Sequence, residues 1–174
     1  MRPLGTAEIV AVGSELLTPT RIDTNSLAIT ERLNGLGIEV RAKAIVGDRR
    51  GEIAAILRGA LARADLVVMC GGLGPTDDDL TRDVAADVLG RPLREDAAIA
   101  DAIRARFARR KLTMPEINRR QAMVPEGGVV IANVNGTAPG LWIEHGEQVI
   151  VLLPGPPREL LPMLDGEVRD RLAS

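Results

Sequence analysis

Apolar positions along the chain follow two alternating periods, one typical of β-strands and the other typical of α-helices. The runs "AEIVAVG" and "DLVVMC" are short and mainly apolar, so each predicts a buried strand, and "IEVRAKAIVG" alternates apolar and polar residues as a strand does. Between these runs, "DTNSLAITERLNGLG" and "RGEIAAILRGALARA" carry apolar residues at helical spacing. Strands and helices that alternate in this way predict a parallel sheet with right-handed crossovers and helices on both faces.

The second half of the chain predicts two further helices, three strands and a closing helix. One helix begins near Asp79 to Thr81, and "EDAAIADAIRARFARR" forms the next. The segments "GGVVIANV", "GLWIEH" and "QVIVLLPG" predict strands, and a tight turn joins the last two into an antiparallel hairpin. The closing helix covers "PPRELLPMLDGEVRDRLA", with a kink expected at Pro162. We therefore predict one α/β domain over residues 1–174, a three-layer α/β/α sandwich with a mostly parallel sheet and an antiparallel edge hairpin.

Helix signals mark the ends of the first predicted helix. Asp23 or Thr24 is expected to cap its N-terminus, and its apolar face includes Leu27, Ile29 and Leu33. These apolar residues are expected to pack on the sheet.

Composition excludes several classes of function. Hydrophobic residues make up 45% of the chain but aromatic residues only 1%, so base-stacking platforms for single-stranded nucleic acid are not expected. Lys and Arg number 22 against 24 Asp and Glu, and this balance gives no general basic surface for nucleic acid. No apolar run reaches membrane-spanning length and the first residues lack a signal-peptide pattern, so we expect a cytoplasmic protein without a membrane partner.

The stretch "GGLGPTDDDLT", residues 71 to 81, combines two opposite tendencies. Glycine-rich backbone lets bare N–H groups approach an anion closely, whereas three consecutive aspartates repel the same anion. A divalent metal held between carboxylates and phosphate reconciles the two. This loop and three others, "VGSELL", "VGDRR" and "LPGPPREL", follow predicted strands, and "NVNGTAPG" follows "VVIA". In a parallel sheet such loops converge on one cleft at the carboxyl ends of the strands.

Each of these features also has a purely structural interpretation. Gly71 and Gly72 fit a tight strand-to-helix turn, and their spacing matches neither a dinucleotide fingerprint nor a P-loop. Asp77 and Asp78 fit ordinary caps at a helix start, and Asp48 fits a cap of the helix that follows it. The segments "NGTAPG" and "PGPP" fit rigid turns, although rigid turns also make good ligand walls.

The remaining candidates limit the kinds of chemistry. Glu15 lies between apolar residues in "GSELL", and a carboxylate near buried strand ends needs a partner. Cys70 closes an apolar strand and is expected to be buried, and His145 lies in a predicted turn as a solvated residue. The chain therefore lacks a Ser/His/Asp or Cys/His nucleophilic set. Carboxylates, hydroxyls and backbone amides instead favour metal-assisted chemistry on phosphates.

The loops taken together resemble the N-terminal domain of the competence/damage-inducible CinA family, in the molybdopterin-binding (MoaB/Mog-like) superfamily. The segments "VGSELL…DTNS", "VGDRR", "GGLGPTDDDLT", "NGTAPG" and "LPGPPREL" occur in the order and spacing of that family, over nearly the whole chain. The molybdenum-cofactor proteins of the superfamily usually carry threonine at the position of Leu73, and residues other than acids at Asp77 and Asp78. Both differences favour the CinA branch.

The resemblance implies a function and a set of site residues. Asp48 and Asp79 match two loop aspartates that matter for a Mg²⁺-dependent reaction with ATP in molybdopterin adenylyltransferases. CinA-type domains are associated with metal-dependent hydrolysis of the pyrophosphate bond of ADP-ribose, and relatives form dimers or trimers, so a homo-oligomer is expected. Full-length CinA proteins continue into a C-terminal amidase domain, and no amidase activity is assigned to this chain. Pro19 and Arg21, in "ELLTPTRIDTN", depart from the usual family pattern and bear on substrate identity.

Our main hypothesis is therefore a nucleotide pyrophosphatase that hydrolyses ADP-ribose to AMP and ribose 5-phosphate with Mg²⁺, Mn²⁺ or Co²⁺. The predicted catalytic residues are Asp48, Asp79 and Glu15, and the predicted metal ligands are Asp48, Asp77 and Asp79. The predicted substrate-binding residues are Gly71, Gly72, Gly74, Thr76, Thr81, Asn25, Gly136, Thr137 and Gly155. The alternatives are a molybdopterin-binding or adenylyl-transferring protein, and a non-catalytic module that binds a nucleotide.

Overall fold

The computed structural model describes residues 4–174 and contains a six-stranded mixed sheet. Its strands lie in the order β2-β1-β3-β8-β7-β6. The four strands β2, β1, β3 and β8 are parallel, and β6 and β7 run antiparallel to their neighbours. The strands are β1 Thr6–Val12, β2 Glu39–Val46, β3 Leu66–Cys70, β6 Val129–Ile131, β7 Gly140–His145 and β8 Gln148–Leu153. The predicted fold class, with its mostly parallel sheet and its β7–β8 hairpin, is confirmed.

Helices connect the strands and cover both faces of the sheet. The α-helices are α1 Asn25–Gly35, α2 Arg50–Leu61, α3 Thr81–Leu89, α4 Ala97–Arg109, α5 Pro157–Met163 and α6 Arg169–Leu172. Two 3₁₀ segments, Ser14–Leu17 and Glu116–Ala122, add irregular turns, and Leu164–Val168 forms a π-helical link between α5 and α6. Across residues 4–174, no helix combines the length and the apolar character needed to cross a bilayer.

Alternating side chains of the strands divide the core into two layers. In β1, Val10 and Val12 pack with residues of α2, α3 and α4 such as Leu57, whereas Ile9 packs on the opposite face with residues of α1 and α5 such as Leu33. All of these aliphatic side chains are at most 3% exposed. Burying a side chain of this size stabilises the fold by about 1.5–3 kcal/mol, so aliphatic residues supply most of the stabilisation in the core.

Two local features differ from the sequence predictions. Leu27, expected on the apolar face of α1, is 60% exposed, while Ile29 and Leu33 are buried as predicted. A second, two-stranded antiparallel sheet, formed by β4 Leu93–Glu95 and β5 Met123–Pro125, was not predicted. Strands of three residues carry too little periodicity to be distinguished from loop in the sequence.

The kink in the closing helix lies at Gly166, the residue in it with non-helical backbone angles, and not at Pro162 as predicted. Proline at position 162 has no N–H to bond the carbonyl of Arg158 four residues earlier. Asn135 Nδ2 donates to that Arg158 oxygen over 2.7 Å and so satisfies it. The helix therefore passes Pro162 without a break, because a loop outside the helix supplies the missing donor.

Candidate functional site

A cavity of about 680 Å³ lies at the carboxyl ends of the parallel strands, and we call it the main cavity. It is lined by the loops after β1, β2, β3 and β8, together with Thr137 and Ala138 from the loop before β7. The C-terminal residues Cys70 and Leu153 of β3 and β8 are direct neighbours in the sheet, so the loops that follow them begin side by side. The predicted convergence of the loops on one cleft is thus confirmed.

The glycine loop after β3 is shaped by close packing. Gly71 and Gly72 have φ angles of 98° and 64°, which side chains of L residues rarely adopt. A Cβ at Gly71 would overlap the carbonyl oxygen of Val12, and one at Gly72 would overlap Thr81 Oγ1. Thr81 Oγ1 donates to Gly71 O over 2.7 Å, and Thr81 N donates to Gly72 O over 3.1 Å. The two glycines therefore form the tight strand-to-helix turn that the structural interpretation predicts.

The free N–H groups of this loop are fewer than predicted. Gly71 N donates to Leu153 O over 3.0 Å, so its N–H belongs to the sheet and is not available to a phosphate. Among the described residues, the N–H groups of Gly72 and Gly74 have no hydrogen-bond acceptor, and both residues line the main cavity. The N-terminus of α3 follows without a side-chain cap. Thr81 is fully buried beneath the loop, so it supports the loop and does not face a ligand.

Asp79 lines the main cavity with one carboxylate oxygen engaged. Asp79 Oδ2 accepts from Thr76 N over 2.8 Å and from Thr76 Oγ1 over 2.6 Å. A Cβ at Gly74 would overlap the same carboxylate, so this glycine is required for the loop to close on Asp79. Within residues 4–174, Asp79 Oδ1 has no hydrogen-bond partner. Thr76, predicted to bind substrate, does not line the cavity and instead orients Asp79.

Asp48 lies on the loop after β2 and exchanges two hydrogen bonds with Ser14. Asp48 Oδ2 accepts from Ser14 N over 2.8 Å, and Asp48 N donates to Ser14 Oγ over 3.0 Å. The N-cap of α2 is Arg49, so Asp48 is not the helix cap that the structural interpretation proposes. The pair instead ties the loop after β2 to the loop after β1, and leaves Asp48 Oδ1 without a hydrogen-bond partner in the described chain.

The other two loop aspartates point in different directions. Asp77 is 92% exposed at its side chain, pairs with Arg120 Nη1 over 2.6 Å and does not line the main cavity. Asp78, which was not chosen as a metal ligand, does line it. Neither acid caps α3, whose N-cap is Leu80. Within residues 4–174, no group of three or more His, Cys, Asp or Glu side chains is clustered as a ready metal site.

Glu15 is exposed, contrary to the expectation of a carboxylate near buried strand ends. Its carboxylate folds over Gly13, where a Cβ would lie only 2.6 Å from Glu15 Oε2. Glu15 still lines the main cavity, at its open side. It therefore needs no buried partner, and it can contact a ligand or water at the cavity mouth.

The loops after β1 and β8 contact each other at the wall of the main cavity. Asn25 Nδ2 donates to Gly155 O over 2.7 Å, so these two predicted residues contact each other, and both line the cavity. Thr137 also lines it. Gly136 does not, because it faces a second cavity of about 340 Å³ on the other side of the same loop.

Glu159 is a cavity residue that the sequence analysis missed. It lies in the first turn of α5, is 9% exposed, and its Oε2 accepts from Asn133 Nδ2 over 2.7 Å. A Cβ at Gly136 would overlap this carboxylate. The contact could not be predicted from spacing, since 26 residues separate Glu159 from Asn133.

Charge in the main cavity is strongly negative. The charged residues that line it are Glu15, Asp23, Asp48, Asp78, Asp79, Glu159 and Arg21, six acids and one base. Cys70 is also at its floor, but burial raises the pKa of this thiol to about 12, so a thiolate nucleophile does not form at neutral pH. His145 is exposed at the β7–β8 turn, far along β7 from the cavity edge. The chemistry of the cavity is therefore that of carboxylates and backbone amides.

Comparisons with known proteins agree with this geometry. The family described as "Probable molybdopterin binding domain" matches residues 8–174. A solved structure described as the protein CinA with unknown function, from Thermoplasma acidophilum, superposes with a TM-score of 0.88 at 34% identity, covering 95% of this chain and 98% of that one. The chain belongs to the CinA-like branch of the molybdopterin-binding domain family. The MoaB structure from Thermus thermophilus matches this CinA-like chain less closely, with a TM-score of 0.60 at 25% identity over 98% of this chain and 97% of that one.

Two curated CinA-like proteins show how much of a longer protein this chain spans. The CinA-like protein of Acidobacterium capsulatum is 50% identical over 171 residues, and that of Koribacter versatilis is 53% identical over 175 residues. These alignments cover 96% and 95% of this chain but 41% and 42% of the relatives. The CinA-like chain therefore spans about two fifths of the length of the curated relatives it matches.

Proposed function

We propose that this CinA-like domain hydrolyses the phosphoanhydride bond of an adenine nucleotide such as ADP-ribose, with a divalent metal. The observation that carries the proposal is the composition of the main cavity, where free glycine N–H groups lie beside six carboxylates and a single arginine. The N–H groups favour phosphate, while the carboxylates repel it. A divalent cation between phosphate and carboxylates removes this conflict.

Asp48 and Asp79 are the residues that would hold the metal. Each lines the main cavity and has one carboxylate oxygen fixed by the protein and one without a partner in the described chain. Two carboxylates are enough, because Mg²⁺ is commonly held by one or two carboxylates together with water and substrate phosphates. When bound, such an ion neutralises phosphate charge and makes a water molecule more acidic. Asp77 is not part of this proposal, because its carboxylate pairs with Arg120 outside the cavity.

The chain's own groups bind and orient the substrate. Gly72 and Gly74 donate their free N–H groups to phosphate oxygens, and the N-terminus of α3 adds its positive dipole end. Glu15, exposed at the cavity mouth, accepts a hydrogen bond from the attacking water and orients it. Asn25 and Gly155 hold the loops after β1 and β8 together at the cavity wall.

A second candidate function is binding of a pterin phosphate, and the description of the matched family favours it. The same N–H groups of Gly72 and Gly74 would hold the pterin's phosphate. A module that binds a nucleotide without hydrolysing it would use the cavity in the same way. Both alternatives differ from the main proposal in predicting binding without release of AMP.

The decisive experiment measures AMP and ribose 5-phosphate released from ADP-ribose with Mg²⁺, Mn²⁺ or Co²⁺ by the wild type and the Asp79→Asn variant. We expect metal-dependent release by the wild type and a loss of at least about 100-fold in the variant. A metal site supplies several kcal/mol of charge stabilisation, and each 1.4 kcal/mol is a factor of ten. Asp101→Asn, an exposed site on α4, is the matched control and is expected to keep full activity.

Circular dichroism verifies that each variant is folded before its activity is compared. Unchanged hydrolysis in Asp79→Asn would refute the metal-holding role of Asp79. A folded wild type that releases no AMP with any of the three metals would refute the pyrophosphatase proposal. Tight binding of a pterin phosphate by that inactive wild type would support the second candidate.

A further inference from the structure

We propose that Glu159 determines substrate specificity by accepting hydrogen bonds from the vicinal hydroxyl groups of a sugar in the ligand. This inference rests on the proposed function to the extent that the ligand is a nucleotide. It assigns the neutral, hydroxyl-bearing part of that ligand to the end of the main cavity formed by the loops at β8 and β7. Phosphate is assigned to the N–H groups of Gly72 and Gly74, on the neighbouring loop after β3.

Glu159 presents a single free acceptor to the main cavity. The residue lines that cavity and is 9% exposed. Its Oε2 atom accepts from Asn133 Nδ2 over 2.7 Å, and in the described part of the chain its Oε1 atom has no hydrogen-bond donor. A carboxylate in this position is stabilised when a donor reaches it, and a charge-assisted bond from a hydroxyl is stronger than a neutral one.

Asn133 fixes the orientation of Glu159. The Oδ1 atom of Asn133 accepts from Asn135 N over 2.9 Å and from Gly136 N over 2.7 Å, and its Nδ2 atom donates to Ala138 O over 2.8 Å as well as to Glu159. Reversing the amide would break all of these bonds, so Asn133 always offers a donor to Glu159. The position of the free oxygen is thus set by the protein and not by the ligand.

The loop before β7 also holds the backbone around Glu159. Asn135 Nδ2 donates to Arg158 O, the carbonyl that Pro162 leaves without a helical donor. Gly136 approaches the Glu159 carboxylate so closely that no Cβ fits. These contacts hold the backbone and the carboxylate of Glu159 in one position, as is expected of a residue that determines ligand specificity.

The order of the strands separates Glu159 from Asp48 and places the glycine loop between them. Asp48 follows β2 and Glu159 follows β8, and β1 and β3 lie between them. The loop after β3, which carries Gly72 and Gly74, is the direct neighbour of the loop after β8. A carboxylate that is not assigned to the metal repels phosphate, so a neutral hydroxyl donor is the group that fits Glu159, and a vicinal diol offers two.

Replacing Glu159 by Gln gives an unusually clean variant. Because Asn133 still presents Nδ2, the new amide must turn its oxygen toward Asn133 and its NH₂ group toward the cavity. Glu159→Gln therefore keeps the contact with Asn133, removes the negative charge and replaces the acceptor in the cavity by a donor. Trp142, whose side chain is in the same core cluster as α5, reports by fluorescence whether the variant is folded.

The test compares two pairs of ligands by titration calorimetry with Mg²⁺ present. The first pair is ATP and dideoxy-ATP, which lacks the ribose diol. The second pair is the non-hydrolysable α,β-methylene analogues of ADP-ribose and of ADP, and the ADP analogue lacks the terminal ribose. We expect the wild type to bind the diol-bearing member of one pair roughly 10- to 100-fold more tightly. Glu159→Gln is expected to reduce that preference by roughly 10-fold and to leave the other member's Kd unchanged. Glu147→Gln, an exposed site in the β7–β8 turn, is the control.

The ligand pair whose binding preference falls in Glu159→Gln identifies which ribose contacts Glu159. A preference that survives in Glu159→Gln would overturn the proposal, as would equal weakening of all four ligands, which would place Glu159 at the phosphate or in a structural role. A wild type that binds with this preference but releases no AMP would support the inference and refute the pyrophosphatase proposal. A wild type that hydrolyses ADP-ribose but shows no binding preference in either pair would support the pyrophosphatase proposal and refute this inference.

Discussion

At the scale of the residue, Arg82 is the most unusual side chain outside the main cavity. It lies in the first turn of α3, is 2% exposed, and its Nε atom is buried without a hydrogen-bond partner. Burial lowers the pKa of its guanidinium, and Asp83 and Asp79 oppose that shift while Arg120 adds to it. A buried cation at the positive end of a helix is unfavourable, so we expect Arg82 to lower the stability of the fold.

We expect the Arg82→Met variant to be more stable than the wild type by about 1–3 kcal/mol. Methionine is flexible and apolar, so it fills much of the same volume without a charge that must be buried. Guanidinium chloride unfolding, monitored by Trp142 fluorescence, measures the difference.

Arg82→Lys is the control for this prediction, because it keeps the charge and is expected to gain no stability. A lower midpoint for Arg82→Met than for the wild type would contradict the prediction. That result would mean that the guanidinium contributes more by its attraction to Asp79 and Asp83 than its burial costs.

At the scale of the element, an ion pair joins α1 to the π-helical link between α5 and α6. Arg32 donates to Asp165 through Nε over 2.9 Å and through Nη2 over 3.3 Å. The hydrogen bond from Arg32 lowers the pKa of the Asp165 carboxyl, and the same bond raises the pKa of Arg32. The two helices on this face of the sheet are therefore linked by a contact that depends on pH.

The sign of this dependence follows from the lowered carboxyl pKa. Its stabilisation is fully present above about pH 4, the ordinary range of Asp, and is lost as the pH falls through the lowered folded-state value. Because the Asp165 side chain is 49% exposed, solvent screening limits the effect to about 0.5–1 kcal/mol. We expect Asp165→Asn to lose this amount at pH 7 and to match the wild type at low pH. Urea unfolding at a series of pH values measures the difference.

Asp170→Asn, on the exposed side of α6, is the control and is expected to change stability little at any pH. A constant difference between Asp165→Asn and the wild type across the whole series would contradict the assigned titration. In that case the side chain would act by packing or by a neutral hydrogen bond.

At the scale of the whole molecule, the main cavity is formed by loops that are distant in sequence, so a ligand in it cross-links much of the fold. Its lining runs from Val12 to Glu159. A ligand that binds the folded chain and not the unfolded chain stabilises the former by about 2.7 kcal/mol at 100 times its Kd. Binding of a ligand in the main cavity is therefore measurable as an increase in the free energy of unfolding.

We expect the non-hydrolysable α,β-methylene analogue of ADP-ribose with Mg²⁺, at about 100 times its Kd, to raise the Tm by about 5–10 °C. Differential scanning calorimetry measures this shift. The Asp79→Asn variant is expected to lose the part of the shift that depends on Mg²⁺. An equal shift with and without Mg²⁺ would contradict a shared metal and nucleotide site.

Much of the fold was predictable because the signals that specify helices and strands are local. The apolar run of β3 and the helical spacing of Ile53 and Leu57 in α2 depend on neighbours within a few residues. Leu27 was wrongly placed on the buried face of α1, since it precedes Ile29 by two residues and therefore lies about 200° around the helix from it, where it is 60% exposed. β4 and β5 were missed because each is three residues long and exists by pairing with the other.

The candidate site was predictable only at the level of which loops meet. By itself, the sequence determined the parallel sheet, the order of its elements and the presence of Asp48, Asp79 and the glycine loop at one edge. The tertiary structure decided that Gly71 N–H bonds the sheet, that Asp77 pairs with Arg120 and that Glu159 faces the cavity. The physical reason is that a hydrogen-bonding group is free or engaged according to atoms brought near it by folding, and those atoms lie tens of residues away.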